Sequence, residues 1–597
     1  MDIDLLFLCT ISAITIKSIL FQGFITNENH LNIFITGGIR GIYSIPHFFS
    51  FILIYMSFSY IFRGLFRAWF LVFQNVLISF ILIVDLLYFR AFGAFGSLHL
   101  LTQTANLENL FESIISLLSI YDVAFVIDIT LFIIILIKYP YKFNKGQSNI
   151  WVFMAMLLVP SAYMIYTPEK VNLPWEKEKP QHIFKIQWRP DMTLLRLSPI
   201  GYHIFDAYIY WKDSKIYVLT EQDTINIQEW FENKKENIRN NKYYGYFKGK
   251  NLLYIQFESL ENFVINRNTA STYIITPNLN KMIKNSIYIP NIQEQINLGS
   301  SSDADFMVNT SVYPLRRGST FFRYPTNTYH SFPKILKKYG YSTVAIHPDK
   351  GSYWNWRNGL INIGFEKCID SSDFIMDEII QLGLSDGSYL RQVLPIVLSQ
   401  KKPFYIFMVT MSSHTPFKIP EKYSELNLPE SIKRTKLGGY FQSLHYTDKH
   451  IGLFLTGMEK SGLLDNTVVV ISGDHCGIHK FFPNEIHEIN KKEDWWVNNH
   501  NHVPLIVYYK NMTGEMIELE GGQIDIMPTL LYLMGIEEGE YINSAMGRNL
   551  LKTNKNYAVS AKRTVTGEGL TEIDKEEAIR GLDIADIIIR SNYFSNR

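Results

Sequence analysis

Residues 41–62 and 146–168 contain no Asp, Glu, Lys or Arg. Uncharged runs of that length strongly constrain a fold. At 1.5 Å per residue, a helix of about 20 residues crosses the roughly 30 Å hydrocarbon layer of a membrane. The whole N-terminal part points the same way. The chain of 597 residues carries 57 basic and 56 acidic side chains, and only 16 of them fall in residues 1–165. The mean hydropathy of +0.00 therefore averages two unlike parts, an apolar one and one charged like an ordinary globular domain.

Five spans are expected, at about 5–25, 42–62, 68–89, 121–138 and 148–167. Their charges are few: Lys17 in the first, Asp85 near one end of the third, Asp122 and Asp128 in the fourth. Such groups sit near an end or face the bundle interior. The uncharged stretch 91–107 is Gly-containing and polar, and reads as a loop. The N-terminus lacks the basic start and small-residue cleavage site of a secretory signal. Arg63 and Arg67 lie in the loop between spans two and three, and Lys138, Lys142 and Lys145 in the next loop on that side. The opposite loops offer Arg40 and Arg90. The surplus places the first set in the cytoplasm and everything after the fifth span outside. The expected organisation is a transmembrane domain over 1–167, a connector over 168–250, and an outer domain over 251–597. Within the connector, 192–205 mixes apolar and polar residues, as a helix in the headgroup layer or one packed on the domain would. Residues 220–242 read as a surface helix.

Two broad classes are disfavoured. A net charge of +1 lacks the basic surplus of a nucleic-acid binder. The three cysteines, Cys9, Cys368 and Cys476, form no CxxC pair, so neither a disulfide framework nor a thiolate zinc site is expected. From Asn251 onward, short apolar runs alternate with helical stretches, which implies a mostly parallel sheet between helices. The runs 251–257, 341–346, 403–411 and 467–472 read as strands, and 505–509 as a further one. Just beyond the ends of the first four come Glu258, His347, His414, and the pair Asp474 and His475. Ligands of open α/β sheets bind at that edge.

Two carboxylates and an imidazole, Glu258, Asp474 and His475, suit one divalent cation such as Mn²⁺, Zn²⁺ or Mg²⁺. A dedicated calcium site would use oxygen ligands only. Serines 300–302, followed by Asp303, open a helix in an N-cap pattern. One hydroxyl there could ligate the cation and serve as a nucleophile, with helix N–H groups receiving phosphoryl oxygens. His500 and His502 would add either a second metal contact or a structural loop, and Cys476 follows the metal pair directly.

The outer domain resembles the alkaline phosphatase–sulfatase superfamily. With its five spans the chain resembles, more narrowly, lipoteichoic acid synthases and related membrane phosphoglycerol transferases. The matching stretches are 254–259, 301–306, 331–341, 346–349, 353–355, 413–417, 466–475 and 523–531, in family order. The resemblance implies an N-terminal five-helix bundle and an extracytoplasmic sulfatase-like α/β domain, in a multi-pass protein of the bacterial cell membrane. It implies that Glu258, Asp474 and His475 are metal ligands. Ser301 falls where the family has a nucleophilic, metal-ligating Thr. His347, Asp349, Trp354 and His414 match positions lining the headgroup pocket. Arg357 matches with an offset, because the family places its Arg two residues after the Trp, where this chain has Trp356. The implied cofactor is Mn²⁺, with Mg²⁺ or Zn²⁺ as alternatives. The implied donor is phosphatidylglycerol and the acceptor an envelope polymer or glycan. A phosphoethanolamine transferase and a hydrolase of the sulfatase or phosphodiesterase type are the alternative activities. No Pro or Arg follows Ser301 in the C/S-x-P-x-R spacing that a sulfatase requires.

Overall fold

A computed structural model describes residues 3–27, 45–92, 95–98, 115, 117–143, 146–166, 190–215, 217–266, 274–489, 493–497 and 501–596. Contacts divide the chain into two compact units, with the main division in the sequence after residue 215.

The first unit is helical: Ile3–Asn27, Ile45–Ser57, Gly64–Phe92, Ile127–Lys138, Ile150–Tyr166 and Pro190–Asp213. Three stretches, Asp4–Ile25, Gly64–Arg90 and Ile120–Lys138, are long and apolar enough to cross a membrane, and Phe48–Ile61 and Ile150–Ile165 are shorter apolar helices. Several of the charges inside these stretches are paired, while Arg67 stacks on the Tyr60 ring with its guanidinium carbon 3.9 Å from the centroid. Lys17 Nζ lies 2.7 Å from Asp128 Oδ1 and donates to Asn75 Oδ1 and Ser79 Oγ at 2.9 and 2.8 Å. Arg90 makes a two-pronged pair with Asp122 at 2.8 and 2.9 Å. Asp85 meets His203 at 2.8 Å. Helix Pro190–Asp213 buries Leu194, Leu197, Ile200, Phe205 and Ile209 in this unit's core. The segment 192–205 therefore belongs to the helical unit and not to the outer domain's core.

The second unit is built on a nine-stranded sheet. Its strands are β1 (Asn251–Phe257), β2 (Ser286–Gln293), β3 (Ser342–Ile346), β4 (Lys367–Ile369), β5 (Phe404–Val409), β6 (Thr467–Gly473), β7 (His502–Tyr508), β8 (Glu515–Met516) and β9 (Gly521–Gly522). The order is β8-β2-β7-β6-β1-β5-β3-β4, with β9 also on β2. All pairings are parallel except those of β7 with β2 and β6. Strands β1, β5 and β6 are buried throughout, as continuous apolar runs in a doubly covered parallel sheet must be. Strand β2 is absent from the sequence reading. Pro290 interrupts its apolar run, and the β2–β7 register shifts between Ile289 and Ile292. A proline has no N–H for the ladder, so the strand is carried past it by an irregularity.

Candidate active site

The central strands β6, β1 and β5 lie side by side and parallel, so the residues after them converge. Glu258 follows β1, and Asp474 and His475 follow β6. One ligand atom from each of these three buried residues lies within 4.8 Å of the others. His475 Nε2 is 3.4 Å from Asp474 Oδ2 and 3.7 Å from Glu258 Oε1.

The hydrogen bonds around this trio fix its donor set. Asp474 Oδ1 accepts the N–H groups of Ser259 and His475 at 2.7 and 2.8 Å. Its Oδ2 is buried and has no hydrogen-bond partner among the described residues. Glu258 Oε1 accepts from Ser259 Oγ at 2.6 Å. His475 Nδ1 faces the Cys476 carbonyl at 2.9 Å. A carbonyl only accepts, so Nδ1 carries the proton and Nε2 presents a lone pair. Burial, followed by the Asp474 charge, pushes the Glu258 carboxyl well above its ordinary range. Burial also lowers the His475 imidazole and keeps it neutral. Two buried carboxylates that repel each other, an orphaned oxygen and a neutral imidazole nitrogen form an arrangement that a divalent cation completes. Among the described residues, Cys476 is not one of those whose ligand atoms gather there, and burial raises its thiol well above the ordinary value.

Ser301 opens helix Ser301–Thr310, and its Oγ lies 3.3 Å from His475 Nε2. Of the three serines it is the one that is partly exposed. Ser300 and Ser302 are buried, and Ser302 Oγ is spent on the Gly299 carbonyl at 2.6 Å. Ser300 is held at φ 47°, in a region that non-glycine residues rarely occupy. Asp303 ties this turn down by accepting the N–H groups of Asn297 and Gly299, each at 2.9 Å, and burial raises its carboxyl to about 7. The expected row of free helix N–H groups is not there. Those of Ser302, Asp303 and Ala304 donate to the carbonyls of Gly299 and Ser300, because the first turn closes on itself.

The other predicted residues lie on two loops, after β3 and after β5. His347 Nδ1 accepts the Asp349 N–H at 3.0 Å, so its Nε2 carries the proton. His414 Nδ1 faces the Thr415 carbonyl at 2.7 Å, so its Nε2 is an acceptor. Burial pushes both imidazoles down to about 4. One neutral donor and one neutral acceptor result. Trp354 is partly exposed and sits at φ 54°. Arg357 is engaged by two acids: its Nε donates to Asp370 at 2.8 Å and its Nη2 lies 2.6 Å from Asp370 and 3.5 Å from Asp373. Trp356, at the position where the resemblance expects an arginine, is buried against His347 with ring centroids 5.1 Å apart. His502 begins β7 and pairs with Glu520 at 3.2 Å, whereas His500 lies outside the described residues.

Sequence reasoning missed two supports. Ser259 bridges the two carboxylates, and its place directly after Glu258 was the available signal. Glu261 and His479 form a buried pair at 2.6 Å. Glu261 also accepts the Gly477 and His479 N–H groups, so it joins the loops after β1 and β6. Nothing in the sequence links residues so far apart.

Comparison with known proteins agrees with this architecture. The family described as "Sulfatase" matches residues 250–536 and the "Lipoteichoic acid synthase N-terminal domain" matches residues 3–219. Lipoteichoic acid synthase 1 of Bacillus subtilis is 29% identical over 90% of this chain and 84% of its own length. The lipoteichoic acid synthase of Staphylococcus aureus is 26% identical over 93% and 85%. The crystal structure of the lipoteichoic acid synthase LtaP from Listeria monocytogenes is similar with a TM-score of 0.55 and 27% identity, covering 61% of this chain and 98% of that one.

Proposed function

The chain belongs to the lipoteichoic acid synthase family of the alkaline phosphatase–sulfatase superfamily and is a transferase of phosphorus-containing groups, and from this premise we propose that it moves glycerol phosphate from phosphatidylglycerol to an envelope polymer or glycan. The proposed nucleophile is Ser301. Its Oγ forms a bond to the headgroup phosphorus while the bond to the diacylglycerol oxygen breaks, and the leaving alkoxide takes a proton. An acceptor hydroxyl then attacks the phosphorus, and the bond to Oγ breaks with return of the proton. The observation that carries this reading is the partly exposed Ser301 hydroxyl 3.3 Å from His475 Nε2, beside a trio of donors that lacks one partner.

Glu258, Asp474, His475 and the Ser301 hydroxyl would hold one divalent cation, with Mn²⁺ the first choice. Bound there, the cation lowers the pKa of the serine hydroxyl and offsets the charge on the phosphoryl oxygens. The protein's own groups set specificity. The His347 Nε2 proton is a donor for a phosphate or hydroxyl oxygen, and His414 Nε2 is an acceptor for a glycerol hydroxyl. Asp349 and Trp354 line the same side. Arg357 acts through Asp370 and Asp373.

We further propose that residues 1–167 cross the membrane five times with Arg63, Arg67, Lys138, Lys142 and Lys145 in the cytoplasm. The catalytic domain, residues 251–597, then works outside, at the leaflet that supplies the lipid. Incubating the reconstituted chain with phosphatidylglycerol labelled in its terminal glycerol tests the reading. Label is expected in an acceptor polymer or glycan, with release of diacylglycerol. Label that appears only in free glycerol phosphate would make the protein a hydrolase and overturn the transfer.

A further inference from the structure

Residues 371–384 form a border between the two loops that carry His347 and His414. The Ser371 N–H donates to the Asp349 carbonyl at 3.1 Å and the Leu384 N–H to the Pro348 carbonyl at 3.3 Å. Gln381 Nε2 donates to the Lys418 carbonyl at 2.7 Å. Gly383 approaches so closely that a Cβ there would lie 3.4 Å from Asp349 Cβ and 3.6 Å from Met411 Cγ. Phe374 roots the segment against Tyr389, with ring centroids 5.6 Å apart, and Ile379–Leu384 close a short hairpin.

Between these fixed ends the segment turns apolar side chains to solvent. Ile375 is 73% exposed, Met376 42% and Ile379 51%. Single exposed apolar residues are ordinary, but three within five residues, on a segment bonded to the loops that carry His347 and His414, form a patch. The acids in and beside the segment each have a partner, although Asp373 and Asp377 stay close to half exposed. Asp370 and Asp373 pair with Arg357, Asp377 with Arg391 at 2.9 Å, and Glu378 accepts from Tyr423 and Tyr446. Lys350 and Lys418, on the two bordering loops, are exposed. An apolar tip, paired acids and flanking lysines suit the surface of a bilayer containing anionic lipid.

We propose that Ile375, Met376 and Ile379 insert into the lipid surface and hold the mouth of the site against the headgroup layer. The consequence for turnover rests on the lipid-donor reading above. Insertion itself does not.

The full chain, reconstituted in vesicles of phosphatidylglycerol and phosphatidylcholine, is spin-labelled at Ile375→Cys. A second sample carries the label at Ile573→Cys, a side chain 78% exposed on helix Glu572–Ser591. Relaxation by oxygen against a water-soluble nickel chelate gives the depth of each label. The Ile375 label is expected in lipid and the Ile573 label in water. A label at 375 as accessible to the chelate as the one at 573 overturns the proposal. The triple variant Ile375→Ser, Met376→Ser, Ile379→Ser is then compared on vesicle phosphatidylglycerol and on water-soluble glycerophosphoglycerol. Its kcat/KM is expected to fall roughly tenfold on vesicles and to stay unchanged on the soluble diester. An equal loss on both substrates, or no loss on either, also overturns the proposal. A parent protein that turns over neither substrate contradicts the donor reading alone, and the depth measurement still decides insertion.

Discussion

Lys17 and Asp474 are both buried charged residues, one in each unit, and their surroundings differ. Lys17 is closed in on all sides: Asp128 neutralises it, and Asn75 and Ser79 take its remaining protons. Arg90 and Asp122 are matched in the same way. In the second unit, Asp474 keeps one oxygen without a partner, 3.4 Å from a neutral imidazole, and Glu258 adds a second carboxylate. A charge in an apolar layer is tolerated when paired. A charge left open inside a folded domain is costly, and its retention marks where a ligand supplies the balance.

The sharpest test of the open site is Ser301→Ala. Transfer to acceptor should fall by roughly a thousandfold or more, while Ser301→Thr, which keeps a hydroxyl, should retain activity. An alanine variant that still releases diacylglycerol would remove Ser301 from the mechanism. Next comes Asp474→Asn. Replacing the orphaned oxygen by an amide should lower kcat by roughly a hundredfold. Mn²⁺ is expected to raise the melting temperature of the parent protein and to leave that of the variant unchanged. In chelator the variant should melt at or above the parent temperature, because the repulsion with Glu258 is gone. If it melts well below, the site is not a strained open one and the contrast with Lys17 fails.

The closed site predicts the opposite pattern. Lys17→Met leaves the half-buried Asp128 without its counter-charge and with the Asn75 amide still donating to it at 2.8 Å, and should cost about 1–3 kcal/mol, read as a lower midpoint of unfolding in detergent. Adding Asp128→Leu should restore most of the loss. A double variant as unstable as the single one would show that the pair does more than balance charge.

A comparable effect concerns pH. His347 and His414 hold values of about 4 in the folded protein, below the unfolded imidazole value of about 6.5. Between those values the unfolded chain binds protons that the folded one does not. Stability is therefore complete above about pH 6.5 and is lost as pH falls toward 4, by about 1–3 kcal/mol per imidazole. His347→Gln and His414→Gln should each flatten the dependence of the melting temperature on pH in that window. The smallest effect is expected at Arg357. Arg357→Ala should lower stability by about 1 kcal/mol and leave KM for phosphatidylglycerol nearly unchanged. A KM rise of tenfold would make Arg357 a direct headgroup contact.

Much of the catalytic domain was legible because its signals are local. The runs of β1, β3, β5 and β6 are continuous and apolar, and Glu258, His347, His414, Asp474 and His475 stand just past them. What stayed hidden was non-local or interrupted. Pro290 broke the pattern of β2. Arg357 carries the right charge near the right motif, yet Asp370, thirteen residues on, holds its guanidinium. The first-turn amides beside Ser301 were expected to be free and are spent on Gly299 and Ser300.

The sequence by itself determined the division into an apolar part and a charged one, since an uncharged run of twenty residues needs no partner to be recognised. It also determined the parallel character of the sheet and the identity of the acids and histidines at its edge. Tertiary structure decided that Lys17 is closed and that Asp474 keeps an open oxygen. Lys17 meets Asp128 across 111 positions of sequence, and Ser301 meets His475 across 174. No local pattern records those distances, because they arise only when helices and strands far apart in the chain are brought side by side.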